Sequence, residues 1–368
     1  MGRFGASVLL LLGACADNVS DESRGLPDPE LEPGDIGTIA PRYAPEVCGV
    51  MSWDDIGIGA AQDLSVAARP TGGATVFATP LAGGTITGFQ LDLRMKMESG
   101  IAQKLPITNA AFNSGTVSYI QNRPVSAAIA EDAVFIHMLD ESLSSAEYIT
   151  KLPATSIADP TFFYAQGNLV MPVGTKDGLY MHRFQDSLEP IDSKLFKASK
   201  PVLSVTSAQL QTYMMTVFST ETECHLLWNT TYEPGVSTKV DTACPTPRLS
   251  MNQSTGDAVV MFEIVEGVRM MLTHLTMFGG DAPVIRADAT APRTLFDGER
   301  FWLSYIDVRG DVVVGFLDEK NRPVTMSLGA PQPERAGYEL VLVNGQPTVF
   351  SLDDNGYTAY RMCTTAHY

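Results

Sequence analysis

The sequence predicts an all-β chain whose residues 45–368 form a seven-bladed β-propeller, and three observations carry that prediction. Turn glycines recur in pairs: Gly72/Gly84, Gly167/Gly178, Gly256/Gly267, Gly298/Gly310 and Gly345/Gly356 stand 12, 11, 11, 12 and 11 residues apart. Gly115 and Ala208 mark two further units, so first turns fall at 72, 115, 167, 208, 256, 298 and 345, a step of about 45 residues. Between the turns run short alternating segments rich in Val, Ile, Thr, Phe, Tyr and Trp, with no long amphipathic helical period. Seven units of about 46 residues, four short strands each, match the size and content of propeller blades.

The elements follow in chain order. Residues 1–15 read MGRFGASVLLLLGAC: Arg3, then the apolar run Val8 to Leu12, then small residues and a cysteine. That order is the secretory signal pattern, and the run is too short to remain as a membrane span. The ending Leu12-Gly13-Ala14-Cys15 resembles the lipobox of bacterial lipoproteins. The resemblance implies a signal peptide over 1–14 and a mature N-terminus at Cys15, acylated on its thiol and held to the membrane by its acyl chains. Ala16 follows where an aspartate would favour inner-membrane retention in some bacteria, so the outer membrane is the expected address. Residues 15–44 are rich in Asp, Glu, Pro, Ser and Gly with few apolar side chains, and read as an acidic disordered tether.

Beyond the tether, the last repeat supplies only three strands: 339–343, 348–352 and 357–363. The segment 46–53, just before the first repeat, is the expected donor of the fourth, closing the ring and removing its exposed edges. Four cysteines remain after Cys15: Cys48, Cys224, Cys244 and Cys363. An even count in an exported chain points to two disulfides, with three possible connectivities. The repeat places Cys224 and Cys244 on neighbouring strands of one unit, and ring closure places Cys48 beside Cys363. The expected bonds are therefore Cys224–Cys244 and Cys48–Cys363.

The resemblance to propellers is general. Trp53-Asp54 is one Trp-Asp pair that does not recur, so it does not mark a WD40 protein. Asp354-Asn-Gly356-Tyr-Thr358 resembles part of one sialidase-type Asp-box and reads as an Asn-Gly hairpin turn.

The 368 residues are 45% apolar, 18% charged and carry a net charge of −17. Such an acidic chain repels phosphate backbones, so nucleic acid is excluded as a partner. His137, His182 and His225 recur at steps of 45 and 43 on third strands. Third strands of neighbouring blades belong to sheets stacked about 10 Å apart, too far to share a zinc ion. These histidines are expected to pack between blades. No Gly-x-Ser-x-Gly, His-Glu-x-x-His, phosphate loop or Cys-x-x-Cys occurs. The paired methionines Met214-Met215 and Met270-Met271 read as core.

No catalytic residue, metal site or cofactor is expected, and no ligand-binding residue stands out. The function these features predict is a monomeric, non-enzymatic cell-envelope lipoprotein whose propeller is a protein-interaction or ligand-binding platform. Its partners would be the membrane, through the lipid, and an envelope protein or glycan. The alternative is an extracytoplasmic propeller hydrolase or lyase acting on glycans. Three or more acid, His, Tyr or Arg side chains converging in one axial pocket would favour the enzyme; an empty or apolar channel would favour the platform.

Overall fold

The computed structural model describes residues 42–54, 61–80, 84–98, 102–107, 112–159, 161–165, 167–210, 213–230, 237–241, 243–274, 284–331, 337–353 and 356–367. The signal peptide, Cys15 and nearly all of the expected tether lie outside the described residues. The strand that seals the ring begins at Arg42, within the last residues of the stretch read as tether.

Seven antiparallel sheets follow one another along the chain, each a meander from an inner strand outwards. Blade 1 runs Ala61–Ala68, Ala74–Pro80, Thr87–Leu91 and Gln103–Lys104. Blade 2 runs Ser114–Ile120, Arg123–Ala130, Ala133–Leu139 and Ala146–Pro153. In blade 3 the inner strand is split into Ser156–Ile157 and Phe163–Ala165, both pairing with Asn168–Gly174, before Gly178–Phe184 and Pro190–Lys197. The sequence at the split is Asp159-Pro160, and proline has no N–H to give to a ladder. Blade 4 holds Ser204–Leu210, Tyr213–Ser219, Cys224–Thr230 and Ser237–Asp241. Blade 5 holds Arg248–Met251, Asp257–Ile264, Gly267–His274 and Val284–Ala287, and blade 6 Thr290–Phe296, Phe301–Ile306, Asp311–Leu317 and Pro323–Pro331. Blade 7 takes Tyr338–Val343, Gln346–Asp353 and Gly356–His367 from the C-terminus, and Arg42–Asp54 as its outer strand.

Ring closure is therefore as the sequence predicts, with Val47 opposite Met362, Val50 opposite Tyr360 and Trp53 opposite Tyr357. The ladder shifts between Val47 and Gly49, so Cys48 sits at a β-bulge while Cys363 faces Glu46. The structure carries Cys48 and Cys363 as thiols rather than as the expected bridge. Cys48 donates to the Arg361 carbonyl at 3.4 Å. Burial, then the contact with the Cys48 thiol, pushes the Cys363 thiol up to about 12. The second expected bond is present: Cys224 and Cys244 are joined with Cα atoms 5.2 Å apart, both buried, Cys244 just past the fourth strand.

Two repeat markers need correction. Gly115 lies inside the inner strand of blade 2, and the turn itself is Gln121-Asn122, with Gln121 at φ 55°. Ala208 likewise lies within the inner strand of blade 4, opposite Met215. At Gly115 the missing Cβ instead leaves room for the end of the Ile86 side chain, whose Cδ1 a Cβ would meet at 2.3 Å. Both residues shared the period of true turns because every position in a blade recurs at that period. Gly178 and Gly267 do mark turns: each opens a third strand with φ near 140°, and a Cβ would strike the fourth strand's backbone at about 2 Å.

The apolar core is divided among seven clusters, one in each gap between adjacent blades. Met214, Met215, Met270 and Met271 are buried in these gaps. Turns between third and fourth strands add a plug. In blades 1, 2 and 3 the non-glycine residues Met95, Leu143 and Leu188 adopt φ of 63°, 60° and 64°. Each is buried against the preceding blade. Asp92 and Asp140 fix the first two of these turns, accepting backbone N–H bonds from Arg94 and Lys96, and from Ser144 and Ser145. Leu188→Ala is expected to destabilise the fold by about 2–5 kcal/mol, the range for emptying a fully buried leucine site. Leu188→Gly should lose no more than that, because glycine accepts the left-handed backbone. Denaturation midpoints of the two variants measure this; a glycine variant clearly worse than the alanine would contradict it.

Candidate functional site

The inner strands of all seven blades enclose an axial pocket of about 320 Å³, at the small end of ligand cavities. The apolar part of its walls, about half, includes Val66, Val117, Phe162, Leu340 and Val341. Asp159, Arg248, Arg293 and Glu339 also line it, and the charge of Asp63 reaches the group. Tyr119 lines it as well, its hydroxyl 2.6 Å from Thr75 Oγ1.

Each charge is placed by its strand. Arg293, on the inner strand of blade 6, is 4% exposed. Its Nε donates to Glu339 Oε2 at 2.9 Å and its Nη1 to the Pro292 carbonyl at 3.0 Å. The guanidinium lies over the Tyr338 ring at 5.2 Å, and the Tyr338 hydroxyl donates to the Ala291 carbonyl at 2.5 Å. Burial by itself would pull Arg293 down; the Glu339 carboxylate outweighs it and holds the guanidinium charged. Arg248, on the inner strand of blade 5, lacks such a partner. Its Nε is wholly buried and has no hydrogen-bond partner. Burial, then repulsion from Arg293, lowers its pKa.

Asp159 sits in the split of blade 3, where its Oδ2 accepts from Ser65 Oγ at 3.4 Å; Ser65 Oγ in turn accepts the Val117 N–H at 3.1 Å. Burial first, then the negative charges of Glu339 and Asp63, push Asp159 up to about 7 against the pull of Arg248 and Arg293. Burial likewise pushes Asp63 up to about 6, with Arg248 and Arg293 pulling the other way. The site thus holds three carboxyls and two guanidiniums, and Arg293 is committed to Glu339.

The raised carboxyls set a pH dependence. A folded-state pKa above the unfolded value means that the native protein holds a proton that the unfolded chain has lost. Stability therefore falls as pH rises from about 4 through about 7. Asp159→Asn removes the buried charge and keeps an acceptor for Ser65. It should raise stability above pH 7 by about 1–3 kcal/mol and change it little near pH 4. Melting curves of both proteins across that range test this, and a variant destabilised equally at both ends would refute it.

Sequence reasoning named none of these five charged residues. For three of them the signal was present: Arg248, Arg293 and Glu339 stand 45 and 46 residues apart, the blade period, at one level of successive inner strands. Asp159 stands 89 residues before Arg248 and Asp63 stands 276 before Glu339, about two and six blade periods, so these two carried the same signal. The histidines do not pack between blades as expected; the ring contact of each lies within its own blade. His137 is buried edge-on to Tyr148, His182 stacks on Tyr180 and His225 on Phe218. Burial alone lowers His182 to about 4 and lowers His137. Among the described residues no three His, Cys, Asp or Glu side chains come together to hold a metal ion.

No protein-family model matches the chain, and the search of curated proteins returns no match. Solved structures do match. The WD40 domain of Toxoplasma gondii coronin superposes with a TM-score of 0.59 at 14% identity, covering 89% of this chain and 87% of that one. A protein of unknown function from Dyadobacter fermentans gives 0.53 at 8% identity, covering 87% and 99%. The likeness is one of fold alone. It fits a sequence in which Trp53-Asp54 never recurs: the propeller is shared and the blade signature is not.

Proposed function

We propose that this protein is a lipid-anchored extracytoplasmic binding platform. Cys15 carries the lipid, the acidic segment after it holds the propeller off the membrane, and the axial pocket takes a small polar ligand without converting it. In that oxidising setting the seam thiols of Cys48 and Cys363 close into the second disulfide. The observation that carries the binding reading is Arg248, a charged side chain lining the pocket whose buried Nε has no protein acceptor. Buried polar groups are almost always paired, and a ligand oxygen supplies the pairing here. The channel is neither empty nor apolar, since Asp159, Arg248, Arg293 and Glu339 line it; that convergence is the sign set for the enzyme, and the platform reading rests on the unpaired Arg248 Nε instead.

The test is thermal stabilisation of the purified mature protein by a panel of amino acids, dipeptides, monosaccharides and small carboxylates, repeated on Arg248→Lys. Stabilisation by at least one class that weakens in the variant supports the reading. No shift with any class overturns it. Fractionation of cells expressing the wild type and Cys15→Ser tests the anchor, which fails if both proteins partition alike.

One observation favours an enzyme instead. Asp159, raised to about 7, lines the pocket together with Glu339, and a carboxylic acid still protonated near neutrality beside a second carboxyl is what glycoside hydrolysis uses. The pocket thereby meets the convergence condition set for a hydrolase. Turnover of aryl glycosides that is lost in Asp159→Asn would establish that reading; no turnover across the common sugars would remove it.

A further inference from the structure

The axial charges do not balance, and the imbalance has a direction. Arg293 and Glu339 satisfy each other at 2.9 Å. What remains in the lining is one guanidinium, Arg248, and one carboxyl, Asp159, with the negative charge of Asp63 reaching them from outside the lining, within walls that are about evenly polar and apolar. Arg248 Nε wants an acceptor, and Asp159 wants a positive donor. A simple anion would meet the first need and add to the excess of negative charge. A simple cation would meet the second and leave the buried Nε unpaired. A neutral sugar would hydrogen-bond to both and correct neither charge.

We infer that the pocket binds a small zwitterion of the α-amino-acid class with an apolar side chain, its carboxylate on Arg248 and its ammonium directed to Asp159. The aliphatic walls, among them Val117, Leu340 and Val341, receive the side chain, and the volume of about 320 Å³ suits a molecule of that size. Charge-assisted bonds at both ends discriminate against molecules carrying only one of the two charges. The inference rests on the binding reading above and specifies the ligand of the same pocket.

The experiment is calorimetric titration of the mature protein with four probes: L-leucine, isoamylamine (its decarboxylated form), 4-methylpentanoate (its deaminated form) and glucose. Leucine is expected to bind at least tenfold more tightly than either one-charge analogue, and glucose more weakly than leucine. Arg248→Lys should weaken leucine and 4-methylpentanoate while leaving isoamylamine unchanged, and Asp159→Asn should weaken leucine and isoamylamine. The four-probe comparison on the wild type needs no variant to fold. Binding of glucose or 4-methylpentanoate as tight as that of leucine overturns the zwitterion and leaves the binding reading standing. Silence from all four overturns the zwitterion, and the wider ligand panel then decides the binding reading separately.

Discussion

Arg293→Met is expected to destabilise the propeller by about 3–5 kcal/mol, the usual consequence of removing one partner from a buried ion pair. The loss comes mainly from Glu339. Its side chain is only 12% exposed and would face Asp63 and Asp159 without its counter-charge. Loss of the guanidinium's contact with the Tyr338 ring makes a smaller contribution. The double variant Arg293→Met/Glu339→Leu separates the two causes: if the stranded charge dominates, most of the lost stability returns. Urea midpoints of the three proteins decide the matter. A double variant no more stable than Arg293→Met would show that the pair acts through shape instead.

The seam carries the second large effect. Oxidation of Cys48 and Cys363 would close a loop spanning nearly the whole propeller, and the loop-entropy model assigns such a bond about 5–6 kcal/mol. It would also tie the two strands whose pairing converts an open row of blades into a ring. The Cys363 thiol, held protonated up to about 12, is a poor nucleophile, so the bond should form slowly without an oxidant or an isomerase. Bridging needs the Cys48 bulge to adjust, because the register sets Cys363 opposite Glu46. Native protein purified from the envelope should contain no free thiol, and Cys363→Ser should unfold at a lower denaturant concentration than the wild type under oxidising conditions. Two free thiols in that native material, or an unchanged midpoint, would refute the latch.

Much of the fold was legible because its information is local and repeated. Turn glycines, alternating strands and a period near 45 residues recur in the sequence whatever the chain does globally. The seam was legible by subtraction: three strands in the last repeat and one unassigned strand before the first. Gly115 and Ala208 misled because periodicity reports that a position recurs, not whether it is a turn. The plugs Met95, Leu143 and Leu188 were hidden for a different reason, since an apolar residue with positive φ carries no turn signature.

What the sequence determined by itself is therefore the blade: its period, most of its strands, the Cys224–Cys244 pair within one blade and the strand that completes the last sheet. Only the tertiary structure decided the pocket. Arg248, Arg293 and Glu339 belong to three different sheets, and Asp63 and Asp159 to two more. In the linear chain each is an ordinary charged residue in an acidic protein. Bending seven sheets about one axis brings inner-strand positions from distant repeats together in a space too poorly hydrated to screen them, and there their charges begin to govern one another.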